Sequence, residues 1–138
     1  MNVLVVEDDP NLATLWKQVL ERAGHKVLSV ESQTAALASL QQTPQDLVIL
    51  DLCLNGRNAL GVATLATYRN PRCKVVVVCG SATNPRRNAL FAMSPAVAAT
   101  LHKPVDIEDL VEVCETIVRQ DGHPAMPVVE ASVAQFRQ

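Results

Sequence analysis

Short apolar runs and longer amphipathic stretches alternate along this chain. The apolar runs fall at residues 2–6, 26–30, 46–50, 74–79 and 97–101. They are rich in Val, Leu and Ile and mostly continuous, which predicts strands of a parallel sheet covered on both faces. Between them the hydrophobic spacing changes to that of helices.

The first helix has a clear start and stop. Asp9 supplies a cap, Pro10 occupies the first turn, and Leu12, Leu15, Trp16, Val19, Leu20 and Ala23 follow at helical spacing before Gly24 closes it. The last helix begins at the cap Asp106 with Asp109 in its first turn. It places Ile107, Leu110, Val111, Cys114, Ile117 and Val118 on one face and ends near Arg119. Ala-rich patterns predict further helices near 33–42, 57–68 and 85–93. Residues 121–138 start Asp-Gly-His-Pro and contain Pro127, so they read as a tail or linker, with room for a short helix. The domain expected is therefore 1–120.

Alternating βα units imply an α/β fold, a doubly wound parallel sheet of five strands with helices on both faces. Ligands of such sheets bind beyond the carboxyl ends of the strands. Glu7, Asp8, Asp51, Ser81 and Lys103 each follow the end of an expected strand, so the fold gathers them at one edge.

Composition narrows the function more than the fold. With 138 residues the chain suits one domain, and although 49 % of it is hydrophobic, no run approaches the ~20 residues of a membrane span. A net charge of −2 without a basic patch argues against direct nucleic-acid binding. Cys53, Cys73, Cys79 and Cys114 form no CxxC pair and no zinc-spaced cluster. Buried thiols in a reducing, cytoplasmic compartment are expected. Neither a GxGxxG turn after the first strand nor a GK[ST] loop is present, so nucleotide binding has no motif behind it.

The carboxylates carry the chemistry. Acids brought together repel one another unless a cation intervenes, and Mg2+ takes oxygen ligands readily. Beside such an ion Asp51 can attack phosphorus as a nucleophile, while Lys103 and the hydroxyl of Ser81 stabilise the transferring oxygens. Asp8 and Asp9 can equally act as helix caps, and Asp9 is better read as one. His102, Arg86 and Arg87 read as solvent-facing.

These pieces resemble the response-regulator receiver domains of two-component signalling over about residues 1–120. The resemblance rests on Val5-Val6-Glu7-Asp8-Asp9-Pro10, Leu47-Val48-Ile49-Leu50-Asp51-Leu52, Gly80-Ser81-Ala82 and Lys103-Pro104, in this order and at family-like separations. It implies a flavodoxin-like sheet with strand order 2-1-3-4-5. It also implies Asp51 as phosphoacceptor, with Mg2+ held by Asp8, Asp51, the Cys53 backbone carbonyl and, through a water, Glu7. Ser81 would move toward the phosphoryl group, Lys103 would pair with its oxygens, and Pro104 would follow a peptide bond that is often cis in the family. The implied partners are a sensor histidine kinase or phosphotransfer protein and a downstream protein target, with a homodimer left open.

The chain departs from the family pattern in places. An aromatic usual three residues before the lysine is Thr100 here, the loop after Asp51 has Asn55 and Ala59 for the usual Pro and Gly, and Ala96-Val97 replaces Gly-Ala. The expectation is an intact acceptor site with an altered read-out around the fourth helix, last strand and last helix. A receiver-like scaffold that binds partners regardless of phosphorylation is the alternative. A small aspartyl phosphatase is a third reading, but such hydrolases need a second Asp where this chain has Cys53. The product is a signal, so no metabolic enzyme is implied. With about 18 residues after the last helix, the chain reads as a stand-alone regulator or as a receiver from a longer protein.

Overall fold

The computed structural model describes residues 1–52, 59–80 and 94–122. Within them β1 (Asn2–Val6), α1 (Pro10–Arg22), β2 (Lys26–Val30), α2 (Gln33–Gln42), β3 (Leu47–Asp51), α3 (Ala59–Arg69), β4 (Lys74–Cys79), β5 (Val97–His102) and α4 (Ile107–Gly122) follow in order. The strands form one sheet in the order β2-β1-β3-β4-β5, and every neighbouring pair is parallel. The expected sheet and strand order are both present. The helix expected near 85–93 and the tail from 123 onward lie outside the described residues.

Strand pleating sends successive side chains to opposite faces, and both faces are covered. On one, Leu4, Val6, Val48, Leu50, Val75 and Val77 pack against Ala36 and Leu40 of α2 and Val62 and Ala66 of α3. On the other, Val3, Val5, Ile49, Val76 and Val78 meet Trp16 and Leu20 of α1 and Leu110, Val113, Cys114 and Ile117 of α4. This two-sided burial explains why β1, β3 and β4 are continuous apolar runs.

Helix ends follow the local chemistry. Asp9 accepts hydrogen bonds from the backbone N–H groups of Asn11 (2.9 Å) and Leu12 (3.3 Å), so the cap reading holds. At the far end Gly24 takes φ +97°, a left-handed conformation that costs glycine nothing. Its N–H donates to Glu21 O while the next N–H, of His25, donates to Leu20 O, which closes the last turn. Asp106 caps α4 through a 2.8 Å bond from the Glu108 N–H.

Several expectations are corrected. Leu15 and Val118 are 41 % and 42 % exposed and Ala23 faces solvent, while Ala13 and Val113 occupy the buried stripes instead. A helix facing a flat sheet buries a narrower arc than the full apolar spacing suggests. β2, expected to be covered like its neighbours, is only partly buried. Asp51 is the last residue of β3 rather than the first beyond it. The last helix runs to Gly122, a little past the end expected near Arg119.

Candidate functional site

Three of the four residues that build the site come from strands one position apart in the sheet. β1 and β3 are neighbours, with Val6 in register with Leu50. Glu7, just beyond β1, and Asp51, at the end of β3, therefore emerge side by side at the carboxyl edge. The Glu7 N–H is fixed by the Val30 carbonyl at 3.1 Å, which ties this strand end to β2 as well. Asp8 follows immediately and is exposed.

Lys103 arrives from farther away. It follows β5, which is separated from β3 by β4, and its own N–H donates to the Cys79 carbonyl at 2.8 Å. The neighbouring Leu52 N–H donates to the Val78 carbonyl at 2.8 Å, so β4 anchors both approaches. The Lys103 ammonium then reaches Asp51 Oδ2 at 2.8 Å and Glu7 Oε1 at 2.9 Å. The peptide bond between Lys103 and Pro104 is cis.

Both acids are fully buried, whereas the lysine side chain is 25 % exposed. Burial pushes the Glu7 carboxyl up to about 8; the adjacent Asp51 adds to the rise and Lys103 opposes it. For Lys103, burial works against the charged form. Hydrogen bonds and charge from Asp51 and Glu7 outweigh it and hold the ammonium above the ordinary lysine range. Glu7 Oε2 also accepts the Asp8 N–H at 2.9 Å, so both of its oxygens already have contacts within the protein.

Carboxylate oxygens of Glu7, Asp8 and Asp51, one from each, lie within 4.8 Å of one another. Three acids thus face one ammonium through oxygen atoms alone. A hard divalent cation fits this donor set, because it prefers carboxylate oxygens and its charge offsets their mutual repulsion. The structure brings together Glu7, Asp8, Asp51 and Lys103 as expected. Ser81 and the Cys53 carbonyl lie outside the described residues. The Lys103–Glu7 contact was not anticipated, and no sequence pattern marks it; only the shared strand-end position hinted at it.

Among known families, the response regulator receiver domain matches residues 3–115. The chain belongs to that family. Receiver domains are signalling modules of two-component systems rather than metabolic enzymes, and they work with histidine kinases and downstream effectors. The response regulator receiver protein CpdR of Brucella abortus is 29 % identical over 119 residues, covering 84 % of this chain and 95 % of that protein. The DNA-binding transcriptional regulator NtrC of Azospirillum brasilense is 27 % identical over 96 % of this chain, but the match spans only 27 % of NtrC.

Solved receiver folds superpose closely. A CheY-like receiver domain protein from Methanospirillum hungatei has a TM-score of 0.75 at 26 % identity, with 88 % of this chain and 96 % of that one covered. A receiver domain protein from Clostridium thermocellum, at 24 % identity and a TM-score of 0.74 over 88 % and 96 % of the two chains, supports the fold alone. No helix among the described residues of this receiver domain is long and apolar enough to cross a membrane.

Proposed function

We propose that this receiver domain takes a phosphoryl group from a histidine kinase or phosphotransfer protein onto Asp51 and passes the signal to a protein partner. The observation that carries the reading is the Lys103 ammonium lying between the buried carboxylates of Asp51 and Glu7, with the exposed Asp8 beside them. In the transfer an Asp51 carboxylate oxygen forms a bond to phosphorus as the phosphorus–nitrogen bond of the donor phosphohistidine breaks, its electron pair staying on the imidazole. Lys103 neutralises charge on the moving oxygens.

Mg2+, when bound, supplies further charge neutralisation. Asp8 and Asp51 would ligate it directly by family resemblance, their oxygens and those of Glu7 lying close together. Glu7 suits contact through a water by family resemblance. The Cys53 carbonyl and the Ser81 hydroxyl complete the set by family resemblance. The burial of Cys73, Cys79 and Cys114 suits a reducing, cytoplasmic setting.

The test uses a small phosphodonor, acetyl phosphate or phosphoramidate, with Mg2+, read by mass spectrometry at Asp51. Label on the wild type and none on Asp51→Asn is the expected result. A wild type that takes no label overturns the reading.

Thr100 favours a second reading, in which partners bind regardless of phosphorylation. It lies half-buried in β5, paired with Val77, and offers no aromatic ring to turn inward. Thr100→Tyr separates the two. If phosphorylation moves partner binding in the variant and not in the wild type, read-out was lost with the ring; unchanged coupling removes Thr100 as its cause.

A further inference from the structure

Leu15 on α1 and Val118 on α4 are 41 % and 42 % exposed, on the sheet face where these two helices touch. Ala13, Thr14 and Lys17 line a cleft with Ser29 and Glu31 beside β2. The other flank of α1, with Leu12, Leu15 and Val19, therefore turns toward α4. On α4, Ile107, Val111 and Val118 share one line by helical spacing. Leu12 and Ile107, which open the two lines, are partly buried against the same core. A shallow apolar groove thus runs between the helices. Its α4 wall is charged on the outside, where Glu108, Glu112, Glu115 and Arg119 follow at helical spacing and are all exposed. The acids stand toward the start of α4, and Arg119 near its end.

The chain that leaves α4 at Gly122 carries a matching pattern. Pro127 suits the first turn of a helix, and Val129, Val133 and Phe136 follow at spacings of four and three. Val129 and Phe136 are seven residues apart, as are Val111 and Val118, so as helix both lines span about 10 Å. Glu130 and Arg137, also seven apart, fall on one flank of the tail pattern.

We propose that residues 127–137 form a helix that folds back along the groove between α1 and α4, antiparallel to α4. The connection sets the direction, because the tail starts where α4 ends and only an antiparallel course returns over the groove. Val129 then lies toward Val118, and Phe136 toward Val111 and Leu15. Right-handed winding turns the flank of Glu130 and Arg137 to the charged wall of α4. Arg137 comes beside Glu108, at the acidic end, and Glu130 toward Arg119. A parallel course would reverse both and set like charges together. Apolar burial holds the strap, and the exposed charges orient it.

A helix of this length is marginal in water unless it packs, so protection of its amides reports docking. Hydrogen exchange of the full chain, read by mass spectrometry on peptides from 127–137, supplies the test. In the wild type these amides exchange about tenfold or more slowly than in Leu15→Asp, which keeps α4 protected but returns the tail to the free-chain rate. Arg137→Glu speeds tail exchange, and adding Glu108→Arg slows it again. A wild-type tail at the free-chain rate overturns the proposal, as does protection that survives Leu15→Asp. Protection that falls on dilution also overturns it, since the groove then holds the tail of a second copy. If Leu15→Asp fails to fold, the exchange of charges between Glu108 and Arg137 still decides.

Discussion

Lys103 reaches Asp51 across an intervening strand: the two residues sit at the ends of β5 and β3, with β4 between them, and their side chains meet at 2.8 Å. The same ammonium touches Glu7 at 2.9 Å. In the proposed transfer it would compete with a metal ion for the charge of these acids while assisting chemistry at Asp51. Lys103→Ala is expected to bind Mg2+ more tightly, because a repelling cation is gone. It should accept phosphoryl groups from acetyl phosphate more slowly, on the order of 10²-fold, as when one charge-stabilising group is deleted. Calorimetry and timed mass spectrometry measure the two effects; a shift of both in the same direction contradicts the shared role.

Glu7 gives the metal-free protein a pH dependence of defined sign. Its carboxyl titrates near 8 in the fold against 4.5 when free, so the folded chain holds this proton more tightly than the unfolded one. The stability it contributes is complete below 4.5 and is lost as pH rises through 8. Glu7→Gln stays neutral throughout. The wild type should thus lose stability relative to the variant as pH climbs through this window, in urea titrations with chelator present. A constant difference would mean that Glu7 is ionised across the whole range.

Asp8 separates metal binding from folding. It is exposed, and its backbone N–H, not its side chain, bonds Glu7. Mg2+ should raise the melting temperature of the wild type saturably, by the equivalent of about 2.7 kcal/mol at a hundred times its dissociation constant. Asp8→Asn should abolish most of that gain while leaving metal-free stability within about 0.5 kcal/mol. Thermal melts with and without Mg2+ test it.

Much of this was legible in the chain because it is written locally. Asp9, Pro10 and Gly24 mark α1 by short-range rules, and the apolar runs of β1, β3 and β4 report burial on both faces. Strand ends in such a sheet converge, so Asp51, Glu7, Asp8 and Lys103 could be gathered from topology alone. What escaped depends on distance in three dimensions. Leu15 and Val118 satisfy helical spacing yet face water, since the width of the buried arc is set by the surface opposite. The contact of Lys103 with Glu7 is set by how strand ends meet in the sheet, which no window of sequence contains.

The core on the α1 side should respond steeply to change. Trp16, the chain's single tryptophan, is fully buried, and its Nε1 has no hydrogen-bond partner among the described residues. Trp16→Ala should cost about 3–5 kcal/mol, whereas Trp16→Phe should cost much less because it removes an unsatisfied donor along with the lost volume. Gly24→Ala, forced to positive φ, should cost about 1 kcal/mol. Urea unfolding followed by circular dichroism ranks the three.

The reach of Lys103 over β4 also has a consequence for how the site comes into being. Lys103 and Asp51 lie 52 residues apart in the chain, and the strand that delivers the lysine is the last of the sheet. Glu7 and Asp51 precede their counter-charge in the chain, and the strand before Lys103 brings it to them. A chain cut before β5 would keep Glu7 and Asp51 but lack the ammonium that meets them. The charge balance of the site therefore depends on the last strand of the sheet being in place.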